Sequence, residues 1–320
     1  TRGAPAGRPG GAGHESTVRI LVTGATGFVG RWLIRELEAA GHEAVAAPGS
    51  AVLDITDADA VAALVAAVRP DAVAHLAGVS HGPDATRDPE RALAVNVGGT
   101  ERLIATLAST GRSIPLLVAG SSEVYGRPRP EDLPLTEAAP TLTDQPYGRS
   151  KLAQERVAVA AADRHGMAIV VARSFNHTGP GQRAEFVAPA LARRVLAARA
   201  ARTREIPVGN LDVRRDLGDV RDVARAYRLL LEGLADGTLG STRVVNVATG
   251  RAVAIRDVLS ILCRLAGVEG QPVVDPALVR PDDPPEIVGD ASRLRALTGW
   301  VPSIDLERTL ADLLASIGSA

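Results

Sequence analysis

Short apolar runs alternate along the chain with stretches whose apolar positions recur every three or four residues. Val18–Val22 is a compact β-type run, followed by a glycine-punctuated turn and an amphipathic helix over Phe28–Ala40. The alternation continues with a strand at Glu43–Ala47, a helix at Ala58–Val68, a strand at Ala72–Ala77, a helix at Pro89–Ser109 and a strand at Pro115–Gly120. A long helix at Tyr147–His165 leads into another buried strand, Ala168–Arg173. Strands separated by helices are joined by crossovers, so the pattern predicts an α/β fold built on a doubly wound parallel sheet.

Beyond Phe175 the pattern loosens. Helices are expected at Phe186–Ala200, Val220–Leu234, Ile255–Leu265 and Asp305–Ser316, with a strand at Val244–Ala248. Val208–Asp219 reads as an extended loop, and the Pro/Asp-rich stretch Val279–Pro285 as another. The division expected is a dinucleotide-binding domain over 17–176 and a smaller α/β substrate-binding region over 177–320, of which about 208–248 returns to the first domain. Residues 1–16, rich in Gly, Pro, Ala and Arg, offer nothing to pack and lack the apolar core of a signal peptide. They are expected to be a disordered leader or an expression remnant.

Composition narrows the function classes. The 46% hydrophobic content falls in short runs, none near the roughly 20 residues of a membrane span. With 36 basic and 37 acidic side chains there is no net field to draw the chain onto nucleic acid or a membrane. Cys263 is the one cysteine, inside an apolar helical run, so no internal disulfide forms and a cytoplasmic location fits best. No metal site is expected.

Gly24, Gly27 and Gly30 lie between the first strand and the first helix, in Thr23-Gly24-Ala25-Thr26-Gly27-Phe28-Val29-Gly30. A pyrophosphate needs a tight turn, close backbone approach and the free N–H groups of a helix N-terminus, and this segment supplies all three. Residues Gly24 and Thr26 to Arg31 are therefore candidate cofactor contacts, on a fold of Rossmann type. The second strand ends in Ala46-Ala47-Pro48-Gly49-Ser50, without the acid that would repel a 2′-phosphate, and Arg31 stands ready to bind one. NADP(H) is thus expected ahead of NAD(H). Asp54 and Ile55 suit the adenine, although Asp54 reads equally as part of a helix cap. Leu76, Ala77 and Gly78 suit a chain passing under a flat ring, and Asn96, a poor helix former, suits a bridge between helix and strand beside the site.

Tyr147 and Lys151 stand four residues apart on one helix face. A nearby ammonium favours the phenolate, which would lower the tyrosine pKa and let it exchange a proton with a carbonyl. Lys151 is the only lysine among the 36 basic residues. A compact ammonium reaches places that a planar guanidinium does not fit, so this position is expected to be functional rather than an incidental surface pair. Ser121, Ser122 and Glu123 follow a buried strand and so lie at the carboxyl edge of the sheet, with Glu123 either a second acid/base or a loop-orienting group.

Thr23–Gly30, Ser121–Gly126 and Tyr147–Lys151 together resemble the extended short-chain dehydrogenase/reductase family. The resemblance implies that Ser121 polarises a carbonyl, that Tyr147 transfers the proton, and that Lys151 holds the ribose and lowers the tyrosine pKa. Arg173–Gln182, Val208–Leu211 with Arg214–Asp216, and Arg280-Pro281 resemble the GDP-sugar members, the 4,6-dehydratases and 4-keto-6-deoxymannose reductases. That implies substrate contacts by Ser122 and Asn176 and diphosphate-ribose contacts by Arg215 and Arg280, though Arg215 is also placed to pair with Asp216. The acid after Arg280-Pro281 is Asp283 where those relatives carry Glu. His177 and His75 are read as structural. The function expected is NAD(P)H-dependent reduction of a GDP-4-keto-6-deoxyhexose to a GDP-6-deoxyhexose. The alternatives are a nucleotide-sugar dehydratase or epimerase, or a non-catalytic nucleotide sensor. A homodimer through the helices at Pro89–Ser109 and Tyr147–His165 is also expected.

Overall fold

The computed structural model describes residues 17–279 and 283–318. The first half runs β1 (Arg19–Thr23), α1 (Phe28–Ala39), β2 (Glu43–Ala46), α2 (Ala58–Val68), β3 (Ala72–His75), α3 (Gly82–Arg87), α4 (Pro89–Leu93), α5 (Gly99–Ser109), β4 (Leu116–Ala119), α6 (Pro146–His165) and β5 (Ile169–Ser174). The second runs β6 (Asn176–Thr178), α7 (Val187–Ala201), β7 (Glu205–Val208), β8 (Arg214–Asp219), α8 (Val220–Ala235), β9 (Val244–Val247), β10 (Ala252–Ala254), α9 (Ile255–Ala266), β11 (Gln271–Val274), β12 (Glu286–Ile287), α10 (Ser292–Thr298) and α11 (Leu306–Gly318).

A six-stranded, fully parallel sheet in the order β2-β1-β3-β4-β5-β9 organises the molecule. Both of its faces are covered, which is why the strands read as apolar runs rather than as alternating ones. Ile20, Val22, Ala72, Ala74, Leu117, Val170 and Ala172 pack beneath α1 and α8. The intervening Leu21, Val73, Leu116, Val118, Ile169 and Val171 pack against α2, α5 and α6 on the other side. Burying a Leu such as Leu33 or Leu37 contributes about 1.5–3 kcal/mol. From β1 the chain goes outward to β2 and then crosses to β3 on the opposite flank, so the strand order reverses between β1 and β3. The crevice at their carboxyl ends is where ligands bind in such sheets.

Three expectations are corrected. Val208–Asp219 is not a loop, because Arg214–Asp219 is β8, the centre of a small sheet flanked by β10 and β12 and also paired with β6. The return to the large sheet starts at Val220 rather than near 208: β7 pairs with β11, whereas α8 and β9 rejoin the sheet and α10 packs onto its core through Leu294. The helix expected over Pro89–Ser109 is interrupted by a π-helical turn at Ala94–Gly98. A second core is built by α7, α9 and α11 (Leu191, Val195, Leu259, Leu262, Leu310 and Leu313), with Cys263 buried in it.

Candidate active site

The glycine turn is shaped by contact, and Gly24 shows how. Its φ is +71°, and a Cβ there would lie 2.7 Å from the Ala77 nitrogen, so only glycine lets the β1 turn close against the end of β3. A Cβ on Gly30 would collide with the Gly24 carbonyl, and one on Gly27 would lie 3.0 Å from it. Gly27 is the N-cap of α1 and supplies no side chain to its first N–H groups, and no acid stands in that first turn. An anionic pyrophosphate therefore fits this N-terminus both electrostatically and sterically. Thr26 and Arg31 are exposed, and Phe28 and Val29 half-buried, at its rim. Leu76, Ala77 and Gly78 follow β3 beside the turn, with Gly78 exposed.

Asp54 is exposed and holds Thr56, accepting from its nitrogen and hydroxyl at 2.8 Å each, which keeps its carboxyl below the usual range. The cap of α2 is Asp57 instead. The side chain of Ile55 is buried against Gly99, where a Cβ would lie 2.8 Å from it. Asn96 bridges a loop and a helix rather than a helix and a strand. From the π turn its Oδ1 accepts from the Val79 nitrogen at 2.8 Å, and its Nδ2 donates to Ser150 Oγ at 2.9 Å, joining the loop after β3 to α6. Single π turns of this kind recur at functional sites.

Ser121 opens the short 3₁₀ turn Ser122–Tyr125 and accepts from the Glu123 nitrogen at 3.2 Å. Tyr147 is the second residue of α6, and Gly148 lets that helix abut the turn, since a Cβ there would lie 2.6 Å from the Glu123 carbonyl and overlap Thr143. The close approach brings the Tyr147 phenol within hydrogen-bonding reach of Ser121 and under the charge of Glu123. Ser122 is buried, and Glu123 lies exposed at the rim.

The electrostatics differ from expectation. Burial raises the Tyr147 phenol well above its ordinary value, the Ser121 hydrogen bond pulls against that, and Glu123 raises it further. Burial thus leaves the phenol a neutral acid rather than an incipient phenolate. Lys151 is itself brought down to about 8 by burial, with Nζ donating to the Ala119 carbonyl and to Gln154 Oε1 at 2.8 Å each.

On the substrate side Asn176 is exposed at the start of β6, and its register partner Leu217 lies two residues along β8 from Arg215. Arg215 does not pair with Asp216. It reaches Asp283 at 2.5 Å and the Pro284 carbonyl at 2.8 Å, whereas Asp216 is fully buried and accepts from Thr249, Gly250 and Gly289. Arg280 and Pro281 lie outside the described residues. His177 stacks on Phe28 with the rings 9° apart and bonds to the Phe175 carbonyl, a packing role. Two buried clusters escaped the sequence reading. One joins Arg173, Glu155, Tyr125 and Asn246, and the other joins His75, Thr100 and Gln154. Their signal was polar residues at apolar-period positions, such as His75 closing an otherwise apolar strand.

Residues 20–248 match the family model described as the NAD dependent epimerase/dehydratase family. The chain belongs to that family. This member is 37% identical to the GDP-6-deoxy-D-mannose reductase of Pseudomonas aeruginosa, over 93% of its own length and 97% of that protein's. It is 31% identical to a UDP-glucose 4-epimerase of Azospirillum brasilense, covering 90% of this chain and 88% of the relative. Among solved structures it superposes on RMD from Pseudomonas aeruginosa complexed with NADPH with a TM-score of 0.85, at 35% identity and covering 95% and 99% of the two chains. The family member is thus an enzyme of the nucleotide-sugar type on a Rossmann-type fold, and its relatives use pyridine nucleotides. Among its described residues no helix is long and apolar enough to cross a membrane.

Proposed function

We propose that the chain reduces the 4-keto group of a GDP-4-keto-6-deoxyhexose to the alcohol, with NADPH as reductant, giving a GDP-6-deoxyhexose of the GDP-rhamnose type. What carries this reading is a Tyr147 phenol kept protonated by burial and within reach of Ser121, in a chain similar through both halves to a GDP-6-deoxy-D-mannose reductase. A reductase needs a proton donor at the oxygen that receives charge, and a neutral phenol is in the right state for that.

In this reading Gly24, Gly27 and Gly30 receive the pyrophosphate, with Thr26, Phe28 and Val29 alongside it. Arg31 meets the 2′-phosphate, Asp54 and Ile55 border the adenine, and Leu76–Gly78, Asn96 and Lys151 border the ribose and nicotinamide. NADPH, when bound, supplies the hydride. Ser121 would donate a hydrogen bond to the keto oxygen, and Tyr147 would deliver its proton to that oxygen as negative charge builds on it, so that C=O ends as C–OH and the phenolate left behind regains a proton from solvent. Charge stabilisation aimed at that oxygen is the largest source of rate in such a step. Ser122 and Asn176 border the sugar, while Arg215 and Arg280 face the GDP diphosphate and ribose as forked donors. The reaction would run in the cytosol.

A second reading, a 4,6-dehydratase, is favoured by Glu123, whose charge acts on Tyr147 and which is therefore close enough to serve as a second acid/base. One assay separates the two. Given GDP-4-keto-6-deoxymannose, the enzyme should oxidise one NADPH per product, with GDP a stronger competitor than UDP or dTDP. Conversion of GDP-mannose without added cofactor would replace the first reading by the second.

We also propose a homodimer through α5 and α6. Of the apolar residues expected on that face, Ala92, Leu103 and Leu107 are buried within the chain, while Leu93 is exposed and Val95 half-buried. A groove runs between the two helices, lined by small residues such as Ala105, Ala108 and Ala161 together with Glu101, Arg164 and His165, and a second helix pair could pack there. Sedimentation should give twice the chain mass at micromolar concentration, falling to the chain mass for Ala108→Glu/Ala161→Glu. A wild-type monomer would remove the proposal.

A further inference from the structure

Behind Lys151 runs a chain of buried polar side chains that the proposed chemistry does not use. Gln154, one turn along α6, accepts from Lys151 Nζ through Oε1 and donates through Nε2 to Thr100 Oγ1, each at 2.8 Å. Thr100 gives its own proton to the Asn96 carbonyl at 2.7 Å. His75 Nε2, 3.0 Å from the same Thr100 oxygen, must then carry hydrogen and donate to it. That leaves His75 Nδ1 to accept from Thr23 Oγ1 at 2.7 Å, and Thr23 Oγ1 to accept from the Ala77 nitrogen at 3.2 Å. Burial holds His75 neutral, down at about 3, so this tautomer persists through the physiological range.

Thr23, His75, Thr100 and Gln154 are at most 1% exposed, so no water repairs a broken link. Turning the Gln154 amide over would set its NH₂ against the ammonium and its carbonyl against an oxygen that has already spent its one proton. The orientation of that amide is therefore fixed by Thr100 on α5, whose oxygen gives its proton to Asn96 and also accepts from His75 on β3. Of three N–H donors on Lys151, the Ala119 carbonyl and Gln154 take two. The ammonium also faces Gly78, where a methyl would lie 3.8 Å from Nζ.

We propose that Gln154 is a positioning residue for Lys151, held by Thr100 and His75 so that the ammonium keeps one N–H turned to the crevice at Gly78. Its bearing on the cofactor rests on the function proposed above. A carboxamide suits this role because it orients the ammonium without neutralising it. Neutral His75 on β3 feels the Lys151 charge, and Tyr147 stands one turn earlier on the same helix, while Ala119 on β4 and Asn96 on the π turn carry no charge.

Lys151 is the only lysine in the sequence, so protein grown with 13Cε-labelled lysine gives a single resonance that titrates with it. The wild type should titrate near 8. Gln154→Leu should lower the midpoint by about one unit, the scale of a lost hydrogen bond to a charged group. Gln154→Glu should raise it by at least as much and keep the ammonium in place. Thr100→Val, which frees the amide without touching Lys151, should move it in the same direction as Leu. A fluorescence titration should then show NADPH bound about tenfold more weakly by Gln154→Leu and nearly normally by Gln154→Glu. A midpoint in both Gln154→Leu and Thr100→Val within about 0.2 units of wild type overturns the proposal. Shifted midpoints with unchanged NADPH affinity support the positioning role and overturn instead the placing of Lys151 on the cofactor.

Discussion

Tyr147→Phe is expected to lower kcat by roughly 10²–10⁴-fold, the usual contribution of a positioned general acid, while NADPH affinity stays within about a factor of two. The ring keeps its packing and loses only the proton donor. Because burial raises the phenol, it stays protonated across the whole working range, and Tyr147 itself should put no limb on the pH–rate profile there. An alkaline fall, if measured, belongs to the group that titrates near 8. That group is Lys151, which loses its charge as pH rises through that value. Steady-state kinetics from pH 6 to 10 on wild type and variant test both statements. A Tyr147→Phe enzyme retaining more than about a tenth of wild-type turnover is incompatible with the phenol as proton donor.

The second large effect is on stability. Arg173 and Glu155 form a bidentate pair at 2.6 and 2.8 Å, with side chains only 6% and 8% exposed. Burial alone would depress the guanidinium, and the hydrogen bonds to Glu155 more than offset it. Arg173 also donates to the Tyr125 hydroxyl at 2.9 Å, which ties the Ser121–Tyr125 turn to α6 and β5. Glu155→Leu leaves a buried cation unpaired and should cost about 3–5 kcal/mol, read as a lower urea midpoint. Replacing both partners, Glu155→Leu with Arg173→Met, should recover most of the loss, because the cost is that of the orphaned charge rather than of the missing bond. A single variant losing less than about 1 kcal/mol would mean that water reaches Arg173.

The glycine turn and the Tyr147–Lys151 pair were legible because their chemistry is local. A tight turn before a helix and two side chains four apart on one face are settled within eight residues, whatever the rest of the chain does. The parallel sheet was legible for a similar reason, since burial on both faces writes itself into each strand as a short apolar run. Tertiary structure alone decided the state of those groups. Ser121 meets Tyr147 across 26 positions, through a gap that Gly148 opens. Arg215 meets Asp283 across 68, although Asp216 stands beside it in sequence. Neighbours along a strand point to opposite faces, so the alternative pairing of Arg215 with adjacent Asp216 does not form. The Tyr147 pKa was misread for a related reason. Spacing shows which charge is near, but desolvation depends on everything packed around the ring, and here burial raises the phenol. The polar chain behind Lys151 was beyond sequence reasoning altogether, because one strand and two helices must meet before His75, Thr100 and Gln154 become neighbours.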